Sequence, residues 1–365
     1  HTKMIKDAVN IPVFIGHNVF TPEDAERLLE EGVGDYVALG RSQLADPCWA
    51  KKAKEGKAED IKPCINCLIG CLDRGLLSHT PIHCTVNPTL YKFEGPEITP
   101  AEEQKNVAVV GAGPAGSEAA LTLAKRGHKV TIFEKRDFGG AMIEASVPDN
   151  KSNIRRLIQY YKNHIEANDA ITIVKEEADF DKIANGGFDA VILAIGGKTR
   201  TLKVAEDGKN TLIYANDYLN GSKKAIGDKV VVIGGGITGA ETALELKNEG
   251  KDVTIVEMAD QFLASNSSAC QAYSISISQT DIKIITGKRL VAAENGNAVV
   301  MDRWGNTTEL EADSIVIAAG FMPQYELAEQ LENETELEVY NVGDSKQVRQ
   351  IYDAIHEGFV AARQI

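Results

Sequence analysis

From residue 106 onward the chain alternates short apolar runs with amphipathic stretches, the pattern of strands separated by helices. Asn106–Val110 (NVAVV) reads as a buried strand, Ala115–Arg126 as a helix and Lys129–Glu134 (KVTIFE) as the next strand. The same series recurs at Lys229–Ile233 (KVVVI), Thr238–Asn248 and Asp252–Glu257 (DVTIVE). Ala190–Ala194 and Ser314–Ala318 read as closing strands, and Ile351–Ile365 as a final helix. This internal near-repeat predicts two nucleotide-binding folds in one chain.

The first sixty residues carry a different pattern. Pro12–Gly16 (PVFIG) predicts a strand. Thr21-Pro22-Glu23-Asp24 then supplies an N-cap, a proline at the first helical position and acids at the positive dipole end. Gly32 ends that helix, Asp35–Gly40 (DYVALG) predicts a second strand, and residues 42–58 a second helical segment. A cysteine-bearing loop follows over roughly 61–90, and the Pro- and acid-rich stretch 94–105 reads as a linker. The Ser-rich patch Ser265–Ser278 has no clear period.

Each repeat carries a glycine fingerprint between its first strand and its helix: Gly111-Ala112-Gly113-Pro114-Ala115-Gly116 and Gly234-Gly235-Gly236-Ile237-Thr238-Gly239. The first glycine permits the tight turn, the second lets a pyrophosphate approach the backbone, and the third allows close helix–strand packing. Glu134 and Glu257 close the next strands at the same distance from the first glycine of each copy, placed for ribose hydroxyls. Glycine turns without a ligand are the bland alternative, and the paired context weighs against it. A carboxylate at 257 repels a 2′-phosphate, and Met258-Ala259-Asp260 offers no compensating cation, so NADH is favoured over NADPH.

The order of the copies resembles that of two-dinucleotide disulfide-reductase-like flavoproteins, in which the first fingerprint holds FAD and the inserted second holds the nicotinamide. Gly139-Gly140 shortly after Glu134 is similar to their FAD half, with Gly111, Gly113, Ala115, Gly116 and Glu134 as the implied contacts. Gly234, Gly236, Gly239 and Glu257 are implied at the nicotinamide cofactor. Val342-Gly343-Asp344 resembles the late motif whose Asp meets the flavin ribityl chain; an ordinary turn is the alternative there.

Four of the six cysteines form Cys64-x2-Cys67-x3-Cys71-x12-Cys84. Three thiolates within eight residues, joined by a fourth from a short loop, suit a [4Fe–4S] cluster. A structural zinc site is the alternative, although paired CxxC arms are its commoner spacing. Beside a flavin fold, a one-electron relay makes chemical sense. Cys48 and Cys270 stand outside the pattern.

Composition narrows the classes. Hydrophobic residues make up 43% and charged residues 25%, and 39 basic against 53 acidic residues give a net charge of −14. That field argues against nucleic-acid and anionic-membrane partners. The absence of a transmembrane-length apolar run or signal-peptide pattern, with clustered thiols, gives the expectation of a cytoplasmic protein. The opening at His1 amid recognisable structure gives the expectation of a fragment or one half of a split enzyme.

Together the parts resemble the 2,4-dienoyl-CoA reductase, enoate reductase and trimethylamine dehydrogenase family, old-yellow-enzyme-type NADH:flavin oxidoreductases with a [4Fe–4S] cluster. The carrying stretches are DYVALGRSQLADP (35–47), KPCINCLIGCLD (62–73), CTVNP (84–88), FGGAMIEASVP (138–148), DAIHEGFVAAR (353–363) and both fingerprints. The resemblance implies an α/β fold in five stretches. These are the end of a (β/α)8 barrel at 1–60, a cluster loop and linker at 61–105, and an FAD-binding Rossmann-like domain at 106–225 and 313–365. An NAD(P)-binding domain is inserted at 226–312. Gly16, Gly40 and Arg41 would then meet the FMN phosphate, as barrel loops commonly do; a surface arginine is the alternative for Arg41. His17 and Asn18 depart from the family's usual version. Cys64, Cys67, Cys71 and Cys84 would hold the cluster. The implied route runs from NADH to FAD, to [4Fe–4S], to FMN, reducing an activated C=C bond of an enoate or acyl-CoA thioester. The catalytic acid and base would lie in a preceding barrel portion, so none is assigned. An electron-transfer subunit serving a partner protein and an amine-dehydrogenase-like oxidoreductase are the other readings, and a homo-oligomer stays open.

Overall fold

A computed structural model describes residues 1–16, 18–90, 97–221 and 226–365. His17 and the linker positions 94–96 therefore lie outside the described residues, as do 222–225 at the end of the predicted first FAD stretch. The chain divides into two compact units: one of His1–Met142, Lys151–Ile195 and Tyr325–Ile365, the other of Ile143–Asn150 and Gly196–Gln324.

The first unit is built on a five-stranded parallel sheet. Asn106–Val110 lies at its centre, between Lys129–Phe133 and Ala190–Leu193, with Ile171–Val174 and Glu338–Asn341 at the edges. The central strands are unbroken apolar runs because both faces are covered, as parallel sheets require. One face packs Ala108, Val110, Phe133, Val191 and Leu193 against Ile183, Ala328 and Leu331. The helix Pro114–Arg126 starts at the fingerprint and stops at Gly127, whose φ of 96° closes its C-terminus.

The second unit repeats the parallel sheet in the order Lys283–Ile285, Asp252–Val256, Lys229–Ile233, Ser314–Ile317, Thr211–Tyr214. An antiparallel meander of Lys288–Glu294, Asn297–Asp302 and Thr307–Glu311 is added to it. Leu290, Ala298 and Val300 of the meander share a core with Val231, Ile233 and Ile315. The expected stretch for this domain is 226–312. Strands on both sides of that range pair into its sheet, and the compact unit takes in Gly196–Gln324. The Ser-rich patch is a helix, Ser268–Ser278, capped by the Ser267 side chain accepting from the Cys270 amide.

The N-terminal region keeps the expected strand–helix–strand order, but its strands shrink to Phe14–Ile15 and Tyr36–Val37, paired in parallel. The helix Pro22–Glu30 has Thr21 as N-cap, its hydroxyl accepting from the Asp24 amide at 2.9 Å. The predicted helix over 42–58 is broken into Arg41–Ala45 and Trp49–Lys54. Pro47 disfavours helical backbone at Asp46, whose carboxylate instead accepts from the Cys48 amide. The cysteine loop is less irregular than expected, since Ile69–Leu77 winds as a π-helix.

Candidate functional site

Both fingerprints are built as their glycines predict. Gly111 has φ 98° and Gly234 φ 114°, and a Cβ on either would overlap a carbonyl oxygen, of Ala194 or Ala318 respectively. A Cβ on Gly116 would overlap the Gly111 carbonyl, and one on Gly239 the Gly234 carbonyl. The middle glycines differ: Gly236 has nothing within 4 Å of a built Cβ, and Gly113 has only Gly140 Cα at 3.7 Å. Space has been left where a pyrophosphate would approach the backbone.

The two carboxylates repeat one arrangement. Glu134 accepts from the Ala112 and Arg136 amides at 2.7 Å each. Glu257 accepts from the Gly235 amide at 2.5 Å and the Ala259 amide at 2.7 Å. Each acid thus pins the glycine loop to the end of the next strand. A carboxylate has about four lone-pair sites, so capacity remains for a ribose hydroxyl. In the first unit Gly139 and Gly140 adopt positive φ and Gly140 lies on Gly113. Gly343 faces Ala115, and its amide donates to Glu357 at 2.7 Å. The last helix, Ile351–Gln364, reaches the same corner because a Cβ on Gly358 would overlap the Ala115 carbonyl. Asp344 sits beside it, its carboxyl held above the ordinary range by burial.

In the second unit Arg303, from the meander, pairs with Asp260 three residues after Glu257. Tertiary structure therefore delivers a cation to the segment that follows Glu257, and there it is paired with the carboxylate of Asp260.

All four clustered cysteines line one pocket with Arg41, Leu44, Gly70 and Thr85. Burial pushes the Cys64 thiol up to about 11 and the Cys84 thiol up to about 12, and it raises Cys67 as well. Cys67 Sγ lies 3.0 Å from the Thr85 hydroxyl. Gly70 makes the enclosure possible, since a Cβ there would fall 2.8 Å from the His83 carbonyl oxygen. Among the described residues no three His, Cys, Asp or Glu side chains are grouped to hold one metal ion. Cys48 and Cys270 lie apart from this cavity, Cys270 within the core of the second unit.

Gly40 and Arg41 line a second cavity with Asn18, Phe20 and Ser42. Gly16, predicted to join them, is not part of that lining. The Arg41 guanidinium donates to the Asn18 side chain at 2.8 Å and to Asn66, between the first two cysteines, so it borders both cavities. Sequence reasoning missed two anchors. Lys62 pairs with Glu118 of the first fingerprint helix at 2.6 Å, and His356 of the last helix meets the Cys84 carbonyl at 2.9 Å. Neither pair is visible from spacing.

The family described as pyridine nucleotide-disulphide oxidoreductase matches residues 105–354. A cinnamate reductase from Clostridium sporogenes is 32% identical over 375 residues, covering 100% of this chain and 55% of that protein. An NADH oxidase from Thermoanaerobacter brockii is 37% identical over 99% of this chain and 56% of its own length. A solved structure of 2-naphthoyl-CoA reductase with 2-naphthoyl-CoA superposes with a TM-score of 0.88 at 31% identity, over 99% of this chain and 55% of that one. The chain spans about half the length of the curated relatives it matches. These matches support FAD and NADH as the nucleotides of the two folds. Among the described residues no helix is long and apolar enough to cross a membrane. The chain belongs to the pyridine nucleotide-disulphide oxidoreductase family, within the enoate- and dienoyl-reductase group that its sequence resembles.

Proposed function

We propose that this chain is the electron-input part of an NADH-dependent flavin oxidoreductase that reduces an activated C=C bond. One observation carries the reading: four cysteine thiols surround a single cavity in the same unit as the first dinucleotide fingerprint. When bound, FAD, a [4Fe–4S] cluster and FMN supply two-to-one-electron conversion, a one-electron relay and hydride delivery respectively.

The chain's own residues prepare for those groups. The first fingerprint, with Glu134, Gly139-Gly140 and Asp344, forms the FAD cradle, and the second with Glu257 forms the NADH cradle. Cys64, Cys67, Cys71 and Cys84 are the proposed iron ligands. The desolvated thiols of Cys64, Cys67 and Cys84 favour the protonated form until a cationic centre draws the protons off. A zinc ion would gather its sulfurs about 3.8 Å apart, given Zn–S bonds near 2.3 Å in a tetrahedron. In a cluster each thiolate would instead meet a different iron, which asks for a wider spacing of the four sulfurs. Arg41, held by Asn18 and Asn66, would offer a phosphate a planar pair of donors from the second cavity.

Phe14 and Tyr36, 63% and 54% exposed and stacked at 5.0 Å, are unusual on a two-stranded sheet and support a barrel continuing there. The names cinnamate reductase and 2-naphthoyl-CoA reductase support an enoate or aromatic acyl-CoA thioester as substrate class. The proposal includes a cytoplasmic setting, where exposed thiols stay reduced.

The test is an absorbance spectrum with iron, sulfide and flavin content after anaerobic purification. Bound flavin with about four irons per chain is expected for a [4Fe–4S] centre; zinc without iron, or a colourless protein, would overturn the reading. Cys67→Ala should abolish iron while NADH still bleaches the flavin.

A further inference from the structure

We propose that Tyr352 and His356, on the helix that also closes the flavin corner, act with His83 as positioning residues for Cys84 and set the redox poise of the centre it helps to hold. The inference rests on the reading that the four cysteines bind an iron–sulfur cluster.

Tyr352 and His356 are four residues apart on Ile351–Gln364 and so share one face. Their rings stack at 4.1 Å and 25°. His83, immediately before Cys84, continues the stack: its ring lies 6.3 Å from His356 at 2° and 6.4 Å from Tyr352 at 23°. Two polar contacts fix the array. The Tyr352 hydroxyl lies 2.8 Å from His83 Nδ1, and His356 Nε2 donates to the Cys84 carbonyl oxygen at 2.9 Å. A carbonyl can only accept, so His356 carries a proton on Nε2. From the other side the His83 amide donates to the Gly70 carbonyl at 2.6 Å, inside the π-helix that carries Cys71. The backbone leading into Cys84 is thus held at both ends.

The same helix serves the flavin corner through residues on another face. Gly358 seats on Ala115, and Ala354 lies 3.6 Å from a Cβ built on Gly343. A capping box between Gln350 and Asp353 fixes its start. A rod therefore spans from the first fingerprint to the backbone of the fourth cysteine, which it meets through a hydrogen bond from a stacked imidazole. Hydrogen bonds around cluster ligands are among the levers that set reduction potential. A donor dipole aimed at the Cys84 carbonyl offsets negative potential next to the cavity and favours the more negative, reduced form. Taking it away makes reduction harder.

The experiment uses the full chain, purified anaerobically, as wild type, His356→Leu, His356→Gln and Tyr352→Phe. Iron, sulfide and flavin are counted, the reduced centre's EPR spectrum is recorded, and its midpoint potential is titrated. His356→Leu is expected to keep flavin and lower the potential. At a fixed applied potential its oxidised-to-reduced ratio should rise by up to about tenfold, which is 59 mV for a one-electron couple. His356→Gln, which restores an N–H donor, should recover most of the shift, and Tyr352→Phe should change the EPR line shape with a smaller shift. Loss of iron in His356→Leu that Gln restores also supports the role; loss in both variants overturns it, because the bond is then not what matters. An iron-loaded His356→Leu with wild-type potential and EPR defeats this inference alone. An iron-free wild type defeats the cluster reading beneath it.

Discussion

Removing the Lys62 ammonium tests how the cysteine loop is tied to the flavin fold. Lys62 stands two residues before Cys64, and its Nζ lies 2.6 Å from Glu118 Oε2 on the first fingerprint helix. The Tyr161 hydroxyl donates to the same oxygen at 2.7 Å, and the ammonium lies 5.5 Å from the Tyr161 ring centroid. The side chains of Lys62 and Glu118 are only 14% and 9% exposed, so this is a desolvated pair. Burial and the Glu118 carboxylate hold the Tyr161 hydroxyl well above its ordinary titration range, so it remains a donor throughout. In Lys62→Met the stem keeps its length while Glu118 is left buried with one neutral donor. Breaking a buried pair on one side costs about 3–5 kcal/mol; the surviving Tyr161 bond and residual exposure bring the expectation to about 2–3 kcal/mol. Replacing both partners in Lys62→Met/Glu118→Leu should cost less than the two single changes combined, with a coupling of about 1–3 kcal/mol. The assay is urea unfolding of the first unit, followed through its bound flavin, with the four proteins of the cycle. Lys62→Met within about 0.5 kcal/mol of wild type, or strictly additive changes, would refute the reasoning.

Three further outcomes are expected. Gly116→Ala forces a Cβ into the Gly111 carbonyl and should strip flavin from the protein, whereas Gly239→Ala, with the matching clash at Gly234, should retain flavin but lose its reduction by NADH; flavin content and stopped-flow bleaching separate the two. Glu257→Ser with Asp260→Asn removes the 2′-phosphate repulsion and releases Arg303, so kcat/KM for NADPH relative to NADH should rise at least about tenfold, the effect of about 1.4 kcal/mol; an unchanged ratio argues against this corner as the selector. The metal-free protein should lose stability as pH climbs. Cys64, Cys67 and Cys84 have thiols raised by burial, so the folded state binds more protons than the unfolded one above the ordinary thiol range near about 8.5. That contribution is fully present below this range and disappears as pH passes the folded values. Cys84→Ala should flatten the decline in a series of urea midpoints between about pH 8 and 10.

Much of the molecule could be read along the chain, because the interactions concerned are local or periodic. Glycine turns, the strand that precedes each one and the acid that ends the next are set by steric limits within about thirty residues, and the structure shows them twice with the same hydrogen bonds. The cysteine spacing marked its four members for the same reason: a short loop cannot carry them far apart. Local rules also account for the broken helix at Pro47 and the capped helix after Ser267, although the first was expected whole and the second left unread.

Only the tertiary structure decided what meets across long separations. Sheet pairing, not composition, brings Thr211–Tyr214 and Ser314–Ile317 into the second unit's sheet, where they find their partners. Folding brought Arg303 to Asp260, Lys62 to Glu118 and His356 to the Cys84 carbonyl, across separations with no sequence period to announce them. Each is a contact made by a side chain whose identity is unremarkable alone. Its meaning comes from burial and from the group opposite, and those are properties of the packed chain.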